Sequence, residues 1–332
     1  MKKGVLLFNL GGPENQQDVR PFLYNLFSDP EIIRIKSDVL RRMLAWLIAS
    51  TRQGKSRDLY RQIGGGSPLR KITEDQAAAL SDALHARGED ACVYVGMRCW
   101  KPTIDEAVDR ILKEGITRLF LLPLFPQYSV TTTGSCLKYF QAVDKKLGLS
   151  AKMEISTIES WYDEPLYIEA MADLIREGLC SFSGGEPEKI HLLYSAHSIP
   201  ANYVNEGDPY LEQTKRSMEM VNALLGNVHP FTLAFQSKVG PVKWLSPSTR
   251  GVLTQLGRKE NTRVLVVPIS FVSDHIETLQ EIDIQYKDLA TQSGIREFHR
   301  AASLNLHPKF IAALAALVSQ KPRLGMPPER RL

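Results

Sequence analysis

The sequence predicts an α/β protein built from two similar, doubly wound parallel sheets. Short apolar runs rich in β-branched and aromatic residues alternate with longer amphipathic segments, the pattern of β–α–β units. That alternation runs through twice, once in each half. The length, 332 residues, also matches two domains of roughly 150 residues better than one core.

In the first half, strands are expected over 4–10, 92–97, 118–122 and 152–156. Helices are expected between them, over 18–27, 39–49, 73–87, 103–113 and 136–147, where apolar residues recur at three- and four-residue spacing. The second half repeats the order, with strands over 190–195, 231–235, 263–268 and 297–300 and helices over 167–180, 210–225, 249–256 and 277–290. The expected division is a first half over 1–157 and a second over 158–306. A terminal helix within 307–320 is expected to pack back on the first, followed by a frayed Pro- and Arg-rich tail over 321–332.

Composition, at 43% hydrophobic and 23% charged, excludes disorder, collagen-like repeats and a disulfide-stapled miniprotein. Apolar runs such as 43–49 fall short of the ~20 residues needed to span a membrane. The run after Met1-Lys2-Lys3 imitates a signal peptide, but Asn9 and Gly11-Gly12-Pro13 end it too early. A net charge of +4 is too mild to argue for nucleic acid. The cysteines, at 92, 99, 136 and 180, show neither a CxxC pair nor zinc-type spacing, as expected of reduced thiols in a cytoplasmic protein.

Ligands of open α/β sheets bind beyond the carboxyl ends of the strands, so the residues just after each strand are the informative ones. Nucleotide motifs fail there. Gly64-Gly65-Gly66-Ser67 follows a helical segment, Gly54-Lys55-Ser56 lacks the upstream glycine of a phosphate loop, and Pro13 removes an amide that a phosphate would want. All three read as turns, and no nucleotide is expected.

His197 follows the 190–195 strand within Ser195-Ala196-His197-Ser198-Ile199-Pro200. A histidine there is either a hydrogen-bonded structural residue or a group that accepts a proton or ligates a metal near neutrality. After the 263–268 strand come Ser273-Asp274-His275-Ile276-Glu277 and, four residues on, Glu281. Carboxylates at that spacing stack on one helical face, either solvated or holding a cation. Joined by a histidine from the other cluster, they make a divalent-metal site for Fe²⁺, Zn²⁺ or Co²⁺, with Asp274 and His275 as supporting partners.

Residues 34–61 hold eight basic residues against Asp38 and Asp58, around an apolar stretch, 39–49, that covers more than one helical face. It reads either as a core helix with solvated flanks or as an exposed apolar lip with a cationic rim. The lip would suit a membrane surface or a flat acidic ligand.

Together these clusters resemble ferrochelatase, which inserts ferrous iron into a porphyrin at the end of haem synthesis. The resemblance spans about residues 4–318 and rests on FNLGGP (8–13), YRQIGGGSPL (60–69), YVGMR (94–98), PQYSVTTTGS (126–135), YSAHSIP (194–200), GDPY (207–210), QSKVGPVKWL (236–245) and SFVSDHIETLQEID (270–283). It implies two Rossmann-like halves with a porphyrin cleft between them. The family's active-site histidine and glutamate fall on His197 and Glu277, with iron binding, proton removal or both assigned to the pair. It also implies Arg52, Tyr60, Ser67, Lys55 and Ser237 as propionate contacts, and Arg98, Trp244 and Phe271 as further pocket residues; Glu281 joins His197 and Glu277 as a metal ligand by its spacing. Residues 39–49 match its membrane-facing lip, which implies a cytoplasmic, peripherally membrane-associated protein.

The chemistry fits these parts. Insertion displaces pyrrole N–H protons, which calls for a base over the ring, and the cleft should hold the ring puckered at ~1–5 kcal/mol of strain. Oxygen ligands release iron where thiolates would trap it. Gln285 stands where many relatives carry a third acid. Leu10 stands where coproporphyrin-using relatives have Tyr, which favours protoporphyrin IX. With no cysteine after Cys180, no iron–sulfur cluster is expected, and no cofactor beyond substrate Fe²⁺. The rival readings are a cobalt or nickel chelatase, a coproporphyrin chelatase, a non-catalytic porphyrin or haem carrier, and a membrane-surface scaffold.

Overall fold

A computed structural model describes residues 2–183, 190–259 and 262–319. Each half builds one four-stranded parallel sheet. In the first, β1 (Lys3–Asn9), β2 (Ala91–Met97), β3 (Arg118–Pro123) and β4 (Glu154–Thr157) lie in the order β2-β1-β3-β4. In the second, β5 (Ile190–His197), β6 (Phe231–Gln236), β7 (Arg263–Val267) and β8 (Glu297–Arg300) lie in the order β6-β5-β7-β8, the same frame repeated. The register sets Asn9 beside Met97 at one carboxyl edge and His197 beside Gln236 at the other.

Parallel strands need crossovers, and the crossovers cover both faces of each sheet with helices. In the first half these are α1 (Val19–Phe27), α2 (Asp38–Arg61), α3 (Leu69–Ala86), α4 (Ile104–Lys113) and α5 (Ser135–Leu147). The rest of the chain adds α6 (Pro165–Leu179), α7 (Ala201–Asn205), α8 (Tyr210–Leu224), α9 (Thr249–Leu256), α10 (Lys287–Ser293) and α11 (Pro308–Ser319). Strand alternation sorts the side chains by face. Val5 and Leu7 point into one apolar core together with Leu192, Tyr194, Leu265 and Val267 of the other sheet. Leu6 and Phe8 point into a core private to the first half, and Leu193, Val264 and Val266 into one private to the second. The halves therefore share their largest core.

The terminal helix, expected on the first domain, lies between the two halves. Arg87 after α3 donates to the Ala312 carbonyl, and Lys309 pairs with Glu169 and Asp173 of α6. Leu314 and Phe310 fill the shared core between them. Residue 320 and the tail over 321–332 lie outside the described residues.

Two helices differ from expectation in ways that shape the site. The helix expected over 39–49 runs 24 residues, to Arg61. The apolar periodicity stops at 49, but the polar continuation has no breaker stronger than Gly54, where an added Cβ would meet nothing. In its outer half the small residues Ala45 and Ala49 face inward, while Val39, Leu40, Met43, Trp46 and Leu47 are each more than half exposed. The core-helix reading of that stretch is therefore replaced by an outward apolar stripe. Among the described residues no helix is long and apolar enough to cross a membrane.

The helix expected over 277–290 is π-helical over Glu277–Tyr286 and α-helical only from Lys287. Its i→i+5 period shows in the side chains, with Gln285 bonded to Gln280 and Tyr286 to Glu281. A second π-helical turn, Val130–Gly134, leads into α5.

Because Leu314 is fully buried in the shared core, Leu314→Ala should cost about 2–5 kcal/mol. Denaturant melts followed by probes in each half should shift together. Two separate transitions, one of them unmoved, would contradict a common core.

Candidate active site

The carboxyl edges of both sheets and the inner half of α2 enclose a cavity of about 550 Å³. From α2, Arg52, Lys55, Ser56, Leu59 and Tyr60 line it, at the three- and four-residue spacing of one helical face. The helix continuation beyond residue 49 thus carries the expected cationic contacts into the cavity. Among the described residues neither Arg52 nor Lys55 pairs with a carboxylate. Ser67 reaches the same wall from the Gly64-Gly65-Gly66 turn, where Gly64 and Gly65 have φ of +100° and +99°. A Cβ on Gly66 would sit 2.0 Å from the Glu14 carbonyl, so the triple glycine serves the turn.

Opposite lies the titratable cluster. His197 ends β5, and its Nδ1 is 2.8 Å from Glu277 Oε2 on the first turn of the π-helix. The hydroxyl of Ser237, just after β6, bonds both Glu277 Oε2 and Glu281 Oε2, and its amide donates to Glu281 Oε1 at 3.1 Å. Tyr286 donates to Glu281 Oε1 at 2.8 Å. Ser237, expected as a propionate contact, is thus occupied by the two carboxylates, although it borders the cavity.

Burial opposes charge on all three groups, and their partners decide the outcome. His197 is held above its ordinary 6.5 because the carboxylates of Glu277 and Glu281 outweigh burial. Glu277 is held well below the usual carboxylate range, burial being outweighed by His197, His275 and the Ser237 hydroxyl. Glu281 moves the other way, raised by burial and by the Glu277 charge. The result is a hydrogen-bonded imidazole–carboxylate pair in which the charged imidazole is favoured, backed by a carboxyl that resists ionisation. With Nδ1 committed to Glu277, Nε2 is the ring nitrogen left for a substrate.

His197, Glu277 and Glu281 were expected as metal ligands, but they join through hydrogen bonds, with Ser237 between the carboxylates. Among the described residues no three His, Cys, Asp or Glu side chains are grouped to hold a metal ion. Asp274 stands behind the site. It accepts from Thr278, Ser303, Asn305 and Arg300, anchoring the start of the π-helix. His275 lines the cavity and donates through Nδ1 to the Ser273 carbonyl at 3.0 Å; burial lowers its pKa.

Trp244 and Phe271 line the cavity as well, Phe271 with its ring 4.8 Å from that of His275. Arg98 does not line it. Its guanidinium pairs with the fully buried Asp29 at 3.0 Å, bonds Ser135 and lies 4.5 Å from the Tyr139 ring centroid. That partner is remote in sequence, so the motif that suggested Arg98 does not reveal it. Gln236 and Lys238 fall just after an expected strand and Gln280 within 270–283, but sequence reasoning assigned none of them a role. A polar residue closing the apolar run 231–235 was the available signal for Gln236.

Comparison with known proteins decides the family. A sequence profile described as Ferrochelatase matches residues 2–322. The chain belongs to the ferrochelatase family. A ferrochelatase of Gloeobacter violaceus is 51% identical over 316 residues, covering 95% of this chain and 96% of that one. One of a Synechococcus species (strain JA-2-3B'a(2-13)) is 52% identical over 327 residues, covering 98% and 94%. As a ferrochelatase-family protein the chain is a metal-inserting lyase of haem synthesis. Among solved structures, SirB from Bacillus subtilis with Fe³⁺ superposes with a TM-score of 0.56 at 14% identity, covering 96% of this chain and 94% of that one; the likeness is one of fold.

The pairing sets a pH dependence. His197's raised pKa means that its contribution to stability is complete below pH 6.5 and lost as pH rises through the folded-state value. Glu277's is present above its ordinary 4.5 and lost as pH falls through the depressed one. NMR titration should show His197 titrating above 6.5 in the wild type and lower in Glu277→Gln. An unchanged midpoint would mean that the carboxylate does not hold the ring.

Proposed function

We propose that the chain inserts Fe²⁺ into protoporphyrin IX held in this cavity, releasing the pyrrole N–H protons and giving protohaem, with no resident cofactor. The observation that carries the reading is the His197–Glu277 pair facing, across one cavity, Arg52 and Lys55, which pair with no carboxylate among the described residues. The apolar side chains of Leu10, Phe22, Leu23 and Phe27 suit the flat macrocycle, while Arg52 and Lys55 suit its two carboxylates. Apolar Leu10 on the wall supports protoporphyrin over a more carboxylated ring.

The roles divide by atom. His197 Nε2, when neutral, accepts a pyrrole proton, and the Glu277 carboxylate on Nδ1 stabilises the imidazolium that forms. Glu277 Oε2 is taken by His197 and Ser237. Its Oε1 remains as a hard oxygen for incoming Fe²⁺, which leaves as iron–nitrogen bonds form. His197 then passes its proton outward and accepts the next. Two pyrrole protons are lost for each Fe²⁺ bound, so the porphyrin's charge is unchanged.

The outer half of α2 supports a peripheral position on the cytoplasmic face of a membrane. Its apolar stripe stands beside Arg42, and Arg20 lies over the Trp46 ring at 5.6 Å. Apolar burial combined with cationic attraction to anionic lipid is how interfacial helices bind.

Anaerobic absorbance assays with protoporphyrin IX and Fe²⁺ should show His197→Ala and Glu277→Gln each losing about 10²–10⁴-fold in rate. Tight porphyrin binding with no insertion by the wild type would make the protein a carrier instead. For the surface, Trp46→Glu with Leu47→Glu should abolish co-sedimentation with anionic vesicles while insertion in detergent persists. Sedimentation equal to wild type would remove the membrane assignment.

A further inference from the structure

One fully buried amide ties together three elements of the site, and no step described so far uses it. Gln236, the last residue of β6, is 1% exposed. Its Oε1 accepts from the Ser195 hydroxyl at 2.6 Å. Its Nε2 donates to the Glu277 backbone carbonyl at 3.0 Å and to Glu281 Oε2 at 3.0 Å. The side chain therefore bridges β5, β6 and the first turn of the π-helix.

The orientation of that amide is dictated by its neighbours. A carbonyl and a carboxylate only accept, so the nitrogen must face them and the oxygen must face Ser195. Ser195 supplies the matching donor and is itself within 2.7 Å of the Thr249 hydroxyl, so the polarity runs from Thr249 through Ser195 to Gln236 and on to the π-helix. Alternation along β5 puts Ser195 on the same face as His197, with Ala196 turned into the shared core. The residue that carries the imidazole and the residue that aims the amide thus sit two positions apart on one rigid strand.

The π period is the rarer one, and at its first turn the Glu277 carbonyl accepts from a donor outside the helix. Gln236 grips the backbone of Glu277 itself. Without that grip, the 2.8 Å contact between Glu277 Oε2 and His197 Nδ1 has no support from the β6 side except the Ser237 hydroxyl, on a residue held at φ +63°. We propose that Gln236, aimed by Ser195, is a positioning residue that fixes the start of the π-helix so that Glu277 meets His197. The inference deepens the chelatase reading and rests on it for its kinetic consequence, not for its geometry.

The test uses the full chain. Gln236→Met keeps length and removes both donors; Gln236→Glu keeps the acceptor for Ser195 but sets a carboxylate against Glu277 and Glu281; Ser195→Ala removes only the aiming donor. Each is measured for insertion kcat, porphyrin KM, thermal unfolding, and the NMR signal of the His197 Nδ1 proton bonded to Glu277. Gln236→Met and Gln236→Glu should lose about 10- to 100-fold in kcat, and Ser195→Ala less, with porphyrin KM near wild type because the α2 wall is untouched. In the first two the Nδ1 proton signal should move or vanish while the protein still melts cooperatively. An unchanged Nδ1 signal in Gln236→Met would overturn the proposal whatever the activity. Loss of KM and melting together, with kcat spared, would overturn it too. If the wild type inserts no iron but the Nδ1 signal responds as expected, the chelatase reading fails and the positioning role stands.

Discussion

The shared apolar core governs everything functional in this molecule. Val5 and Leu7 of one sheet and Leu192, Tyr194 and Leu265 of the other are buried in a single interior, with α3, α6 and α11 packed through it. Burying both inner faces at once leaves no freedom to choose how the two carboxyl edges meet. The cleft is a by-product of that packing: two rows of strand ends, brought together by apolar surface elsewhere, leave a gap lined by the residues that follow each strand. Its walls are as stiff as the sheets behind them, which a site for a rigid planar ligand requires.

Within that gap the electrostatics follow from one hydroxyl and one amide placed between groups of like charge. Two glutamates on adjacent turns repel, and the chain resolves the conflict by unequal company. Glu277 has imidazole neighbours and stays ionised, while Glu281, buried beside it, is driven toward its neutral form. Separating the titration of neighbouring carboxyls in this way is how one small site offers an acceptor and a reserve acid together. The opposite wall is arranged on another principle. Among the described residues Arg52 and Lys55 have no carboxylate of their own, so their charge is available to whatever enters.

Much of this was legible in the sequence, and the reasons it was or was not are specific. Alternating patterns gave the strands and the two-fold α/β order, because apolar periodicity records burial directly. His197 and Glu277 stood out because strand ends are where chemistry sits in such folds. The π-helix was hidden, since carboxylates four apart share a face in either helix type and only the Gln280–Gln285 and Glu281–Tyr286 bonds reveal the wider turn. The inner half of α2 was hidden because it is polar apart from Leu59 and Tyr60; its inward face becomes visible only once a cavity exists for it to face. The Arg98–Asp29 pair was hidden because Asp29 comes from a distant segment, and the bonds of the Ser237 hydroxyl because its acceptors lie some forty residues further along the chain.

The repeated strand order has a different kind of implication. Asn9 and His197 close the central strands of equivalent sheets, and Arg98 and Ser237 follow the equivalent neighbouring strands. The frame thus offers the same pair of addresses twice. In one copy they are filled by an amide that bonds Thr73 and a guanidinium locked to Asp29. In the other they are filled by an imidazole and a hydroxyl that share the proton-bearing cluster. Architecture and reactivity are therefore separable in this chain. One copy of the frame serves as a wall and the other carries the titratable cluster, so the molecule is symmetric as a scaffold and asymmetric in its chemistry.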